Sequence, residues 1–399
     1  TVETALDLTP GEPASLSDTY RAQKRLYDTG IFRRADVDLM PVGEVAADGT
    51  QPVKAVVTLA EVPRYRLRYG VRLIDDLGPL EGKREIRPGF VVDFLRRNLF
   101  GRALSAGAAG QLERDRRLAR GVLSAPQLLG LPVTTNLYLT QSRQEFSGDD
   151  ITSFVRDGTE MVAEQRFNPR SDMTVAYNYR FLRTHAFQTD LTPDDVPFDL
   201  RVDVARLTGT VARDTRDDPF DSHSGWFQSS GIEFATPSLG SDLRFFKYIL
   251  QQFYFKPIGE RVVLASAARL GAAWGFDPPL LFSERYFAGG GTSVRGYAEN
   301  GLGGIDFFGD PEGGAATLVF NQEIRFPLYK WVRGVGFVDA GNVYPRVGEL
   351  SLSDLQYGAG LGLRIETPFG LARIDYGLPL TDRSRQPFGR WYFSLGQAF

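Results

Sequence analysis

From Arg64 to the C-terminus the sequence alternates, and a period of two fits strands and little else. Tyr65, Leu67, Tyr69, Val71 and Leu73 alternate with Arg64, Arg66, Arg68, Gly70 and Arg72. Leu355, Tyr357, Ala359, Leu361, Leu363 and Ile365 alternate with Gln356, Gly358, Gly360, Gly362, Arg364 and Glu366. Ala372, Ile374, Tyr376 and Leu378 alternate with Arg373 and Asp375; Trp391, Phe393 and Leu395 alternate with Arg390, Tyr392, Ser394 and Gly396. One face is apolar and aromatic; the other carries Arg, Glu, Gly and Ser. Sixteen segments read as strands, near 64–73, 87–96, 102–113, 116–125, 132–145, 152–166, 171–184, 200–213, 224–236, 244–256, 260–275, 315–327, 332–343, 355–367, 369–379 and 389–399. Alternation is poorest over 116–166.

A meander of this kind suits a transmembrane β-barrel, in which only alternate residues meet lipid. The even number fits a single-chain barrel with both ends on one side of the membrane. An apolar band ~25 Å tall, crossed at about 40° with a rise of about 3.3 Å, needs roughly ten residues per strand. Connections alternate between short (Lys256–Gly259, Thr367–Gly370) and long (Phe276–Gly314), the asymmetry of such barrels. With 43 Gly, 29 Phe and 16 Tyr, composition fits twisted strands and tight turns, and it also admits a soluble β-sandwich or solenoid.

Several function classes drop out. The chain has no Cys, so disulfides, zinc–thiolate sites, iron–sulfur clusters and Cys nucleophiles are excluded. Only His185 and His223 are available for imidazole chemistry. A net charge of −3 argues against a nucleic-acid partner, which needs a basic surplus. No apolar run is long enough for a transmembrane helix. No signal peptide is visible, as expected of a mature secreted chain.

Residues 1–62 read differently. Ser15 or Ser17 caps a helix running to about Asp28, with Leu16, Tyr20 and Tyr27 at helical spacing and Gly30 just past its end. Two alternating segments follow, Ala35–Leu39 and Val53–Leu59. This predicts a small α+β unit ending near Pro63, with the strand array occupying 63–399.

The long loop contains Tyr286-Phe287-Ala288-Gly289-Gly290-Gly291-Thr292-Ser293-Val294-Arg295-Gly296-Tyr297. A connection of this length in a compact fold carries function or is disordered, and its aromatic content speaks against disorder. Val294-Arg295-Gly296-Tyr297 resembles the loop motif of the BamA/TamA-type outer-membrane assembly superfamily. Asp214–Pro219 with Ser224-Gly225-Trp226, then Asn321–Pro327, then Gly336–Val343, and the terminal aromatic Phe399 agree with that family in order and spacing. Leu26–Phe32 resembles the second half of a POTRA domain. The resemblance implies a 16-stranded transmembrane antiparallel β-barrel behind a partial, periplasmic POTRA domain, in a natural protein with more POTRA units upstream.

Parity places Glu323 with Thr317, Val319, Asn321 and Arg325 on the face opposite Leu318, Phe320, Ile324 and Phe326. Glu323 and Asp339 are therefore suitable inward carboxylates for Arg295, and bidentate pairing would orient the loop. The resemblance implies the same contacts. A second site is the closing seam between the first and last strands, with Tyr65, Leu67 and Tyr69 on one side and Gly389, Gly396 and Phe399 on the other. Unpaired backbone in lipid is costly, so a weak seam could admit a client strand by β-augmentation; here only the resemblance favours opening.

Enzymatic readings are weak. Asp221-Ser222-His223 are adjacent and suit a turn better than a triad. Gly358, Gly360 and Gly362 alternate along a strand, where they make room rather than cradle phosphate. Asp214, Asp217, Asp218 and Asp221 lack the spacing of a calcium loop and read as turn caps. The expectation is an outer-membrane insertion factor of a Gram-negative-type bacterium, not an enzyme and without cofactor or metal. Its partners would be the bilayer, unfolded outer-membrane protein clients and periplasmic or lipoprotein subunits. A two-partner secretion-type transporter and a passive porin are the alternatives.

Overall fold

In a computed structural model of the chain, the described residues are 15–43, 51–77, 84–127, 131, 133–148, 151–189, 199–276, 280–305, 311–367, 370–381 and 388–398, with isolated positions before residue 15. One helix, α1 (Leu16–Asp28), and two strands, β1 (Phe32–Pro41) and β2 (Val53–Glu61), come first. Sixteen strands follow and form one sheet in sequence order, from β3 (Tyr65–Leu77) to β18 (Arg390–Leu395). Every pairing described is antiparallel, as consecutive strands joined by tight turns must be. The sixteen segments that alternate in the sequence correspond one to one with these strands.

The chain divides into two compact units. The first comprises residues 1–167 and 178–204. Here Ser15 opens α1 with a capping box: Asp18 N–H donates to the Ser15 hydroxyl, and the Asp18 carboxylate accepts from Ser15 N–H at 2.8 Å. The Ser15 hydroxyl and N–H hold the Asp18 carboxyl below its ordinary range. Gly30, at φ +69°, ends the helix. Thr19, Ala22 and Leu26 face the core, whereas Tyr20 and Tyr27 are exposed. Ala22 and Leu26 pack on Ile31, Phe32, Ala35 and Val37, and the small Ala22 and Ala35 let the helix approach the strand closely. Ala103, in the turn between β4 (Arg84–Leu99) and β5 (Leu104–Glu113), joins this cluster.

On β3 the apolar face is solvent-accessible: Tyr69 is 82% exposed, and Tyr65, Leu67 and Val71 are also exposed. On its other face Arg66 and Arg68 pair with Asp93 of β4. An apolar, aromatic face left accessible to solvent is opposite to a soluble sandwich, where that face would be the core.

The second unit comprises residues 168–177 and 205–399. It holds the end of β10 (Asp199–Asp214), β11 (Gly225–Ala235), β12 (Phe245–Ile258), β13 (Val262–Gly275), β14 (Ala316–Tyr329), β15 (Val332–Tyr344), β16 (Gln356–Thr367), β17 (Gly370–Pro379) and β18. Ile324, Val338, Leu361, Trp391 and Phe393 are exposed, while their polar neighbours Glu323, Arg325, Asp339, Arg364, Arg373 and Asp375 are buried. The long loop between β13 and β14 covers that polar face. No described helix is long and apolar enough to cross a membrane, which says nothing about strands.

Candidate functional site: a loop arginine among three carboxylates

The loop is pinched at its base, where Tyr286 and Gly314 exchange backbone hydrogen bonds of 2.8 and 2.9 Å. Its tip then folds back on itself. Gly289, Gly290 and Gly296 all have φ above +100°, a region that favours glycine. A Cβ on Gly296 would also press on the Leu378–Pro379 backbone. Val294 is fully buried in an apolar cluster with Ala288, Tyr297, Leu302, Val319 and Val343, so the flanks of Arg295 are fixed by packing.

The fold-back delivers Arg295 to the polar face of β14–β17, where it is 1% exposed. Its Nε and Nη2 donate to the two oxygens of Asp339 at 2.7 and 2.9 Å, and its backbone N–H donates to the same carboxylate at 3.0 Å. Its Nη1 donates to Glu323 at 2.6 Å and to Asp375 at 3.0 Å. The guanidinium stacks 3.4 Å from the centroid of the Phe337 ring. All three carboxylates are completely buried. The structure thus brings Arg295 together with Glu323 and Asp339.

Asp375 was not singled out as a partner from the sequence, nor were the other guanidinium groups. Arg325 donates to Glu323 at 2.9 Å. Arg364 reaches both Asp375 (2.5 Å) and Glu323 (3.3 Å), and Arg373 donates to Asp375 at 2.7 Å and to the Gly291 carbonyl. Arginine therefore outnumbers carboxylate in the buried cluster. Such a set is tolerable only when each charge is hydrogen-bonded, and any one deletion strands a neighbour.

The glycines of β16 make the room. A Cβ at Gly358 would overlap the Arg295 carbonyl, one at Gly360 the Tyr376 carbonyl and the Phe337 ring, and one at Gly362 the Asp375 carboxylate. Tyr297 and the last strand complete the seat. The Tyr297 hydroxyl lies 2.9 Å from the Thr381 carbonyl. Tyr392 of β18 donates to the Tyr297 carbonyl at 2.6 Å and accepts from Gly296 N–H at 2.9 Å.

The seam residues stand elsewhere. Tyr65, Leu67 and Tyr69 line the exposed face of β3. Gly389 abuts the Tyr376 ring just before β18, and Gly396 ends that strand at φ +91°. Phe399 lies outside the described residues. Past Gly396, Gln397 bridges: its amide nitrogen donates to Asp221 at 3.0 Å, and its oxygen accepts from Arg364 at 3.2 Å.

Asp221-Ser222-His223 lies in the turn between β10 and β11. Ser222 donates to the Asp218 carbonyl at 2.6 Å, and Asp221 pairs with Arg333 at 2.7 Å. Asp217 accepts the N–H groups of His223 and Ser224 at 2.9 and 3.1 Å. These are cap-like turn contacts. Among the described residues no group of His, Asp and Glu has the arrangement of a metal site.

Comparison with known proteins bears on this loop and its strands. The outer membrane protein assembly factor BamA of Neisseria meningitidis serogroup B is 26% identical over 228 residues, 48% of this chain and 28% of that protein. The chain thus spans little more than a quarter of that relative's length. The crystal structure of BamA from Haemophilus ducreyi lacking POTRA domains 1–3 shares the fold, with a TM-score of 0.69 at 17% identity, over 99% of this chain and 80% of that one. CdiB from Acinetobacter baumannii has a TM-score of 0.55 at 14% identity, over 99% of this chain and 70% of that one. Residues 98–399, which include the loop, its three carboxylates and the last strand, match the Omp85 superfamily domain, and the chain belongs to that family.

Proposed function

We propose that the sheet closes into an outer-membrane barrel whose first and last strands, β3 and β18, form a lateral gate for inserting other outer-membrane proteins. In this reading residues 63–399 are the barrel, residues 1–62 are part of a periplasmic POTRA domain, and the chemistry is strand exchange without a cofactor or a bond-making step. Clients would be unfolded outer-membrane proteins, with periplasmic or lipoprotein accessory subunits recruited through the POTRA part.

One observation carries the proposal. β3 has thirteen residues and β18 has six, and Gly396 turns the chain away where β18 ends. β18 can satisfy fewer than half of the backbone groups that β3 presents. An unpaired group in hydrocarbon costs several kcal/mol, so the surplus edge of β3 favours an incoming strand. Arg295 holds the loop on β14, β15 and β17, and Tyr392 ties the loop to β18, so the gate strand is braced from within. The name of the Neisseria relative, an assembly factor, supports the same reading.

The fold shared with CdiB supports a second reading, a two-partner secretion-type transporter that passes one substrate through the lumen. A single experiment separates the two. Because the chain has no Cys, pairs of cysteines placed in Tyr65–Tyr69 and Gly389–Phe393 are its only thiols. Oxidation that crosslinks β3 to β18 should lower the abundance of all outer-membrane proteins in a host depleted of the native copy, and reduction should restore it. Undiminished assembly with the crosslink formed would reject the gate.

A further inference from the structure

Arg295 fixes only the tip of the loop. A second buried ion cluster lies at its leading limb, some ten residues earlier. Glu284, 6% exposed, accepts from Arg206 of β10 through both oxygens, at 2.8 and 3.1 Å. Lys247 of β12 lies 3.5 Å from the same carboxylate, and Glu233 of β11 takes Arg206 at 3.2 Å. Two aromatic rings close the cluster: Phe245 lies under the Arg206 guanidinium at 5.4 Å, and Tyr286 under the Lys247 ammonium at 5.0 Å. Tyr286 sits in a gap that only Gly271 allows, since a Cβ there would strike its ring.

None of these residues touches Arg295 or its carboxylates. The two clusters grip different strands, β10–β12 at the leading limb and β14–β17 at the tip. The geometry points to Glu284 as a positioning residue, a second anchor that holds the leading limb independently of Arg295. The loop is then a strap that joins β10–β12 to β14–β17 as one frame. Glu284 is the only carboxylate the loop contributes to that cluster among the described residues. Without it, Arg206 keeps Glu233, and of the cluster's charged contacts to the limb among the described residues, the Lys247 ammonium over the Tyr286 ring is what is left.

This inference concerns how the loop is held; its functional meaning rests on the insertion reading. The test is therefore spectroscopic first. Single spin labels are attached at Ser283→Cys beside Glu284 or at Thr292→Cys in the tip, both exposed positions, in the full chain in lipid vesicles. Glu284→Gln should make the label at 283 mobile and leave 292 immobile. Arg295→Ala should do the reverse. Arg206→Lys, which reduces a two-point grip to one, should loosen 283 partially and carries the test if Glu284→Gln does not fold. Immobile labels at 283 in both anchor variants would overturn the inference, as would loosening of 283 and 292 together. Assembly is measured separately in the depleted host. A mobile 283 with normal outer-membrane protein levels keeps the anchor and counts against the insertion reading.

Discussion

Arg295 sits among three carboxylates and three further guanidinium groups, so the effect of removing it depends on what is left behind. Glu323 keeps Arg325 and Arg364, and Asp375 keeps Arg364 and Arg373. Asp339 keeps the Asn321 amide, at 2.8 Å, in place of the bidentate grip that Arg295 gave it. Arg295→Met should therefore destabilise the protein by about 3–5 kcal/mol, mostly through Asp339. Adding Asp339→Asn should recover about 1–3 kcal/mol of that loss. Unfolding temperatures from heat-modifiable gel mobility in vesicles would show it. A double variant less stable than Arg295→Met would mean that Asp339 is not the stranded group. Glu323 and Asp339 were legible from strand parity. Asp375 and Arg364 were legible as inward-facing and no more, because their convergence depends on a register (Gly362 opposite Asp375) that alternation does not encode. The same holds for Glu284, whose partners lie 78 and 37 residues away in sequence.

At the scale of elements, the β10–β11 turn shows how short polar side chains replace a ladder. Burial works to raise the Asp217 carboxyl, but the N–H groups of Ser224, His223 and Asp218 prevail and hold it below its ordinary range. A depressed folded value means that the bonded carboxylate stabilises the turn fully above the unfolded value, near pH 4. That contribution disappears as pH falls through the folded value. The amide resonances of His223 and Ser224 should shift with acid below about pH 4, and Asp217→Asn should abolish the step. A step that survives in Asp217→Asn would place the titrating group elsewhere. Strands were the most readable elements, since most carry their own period of two, clearest in β3 and β16–β18 and weakest over 116–166. Tyr20 and Tyr27 marked α1 by their spacing, but which face it buries was not legible, because both keep their rings at the surface. Tyr27 meanwhile uses its hydroxyl to accept Ala35 N–H at 3.2 Å. The burial falls to Ala22 and Leu26, a stripe too small to dominate a hydrophobic pattern.

At the scale of the molecule, a seated loop and a freed one differ in what the barrel would let through. In the proposed reading, Arg295→Ala releases the tip from the lumen, and planar-bilayer conductance should rise severalfold over the parent protein. A parent protein that already conducts steadily, unchanged by the substitution, would favour the passive porin. The sequence supplied the alternation of exposed apolar and buried polar side chains along β14–β17. It marked Gly389 and Gly396 as seam positions, but not the strand lengths: alternation gives 64–73 and 389–399, whereas β3 runs Tyr65–Leu77 and β18 only Arg390–Leu395, ending where Gly396 takes φ +91°.

The glycine column of β16 has a consequence for how the protein matures. Gly358, Gly360 and Gly362 form a trough for the loop only while β16 stays in step with β15 and β17. A slip of one residue would turn Leu361 and Leu363 into that trough and obstruct it. Seating of the loop thus reports that its neighbouring strands have zipped correctly. A misaligned copy would be left with an undocked, protease-sensitive loop, a built-in proofreading mark.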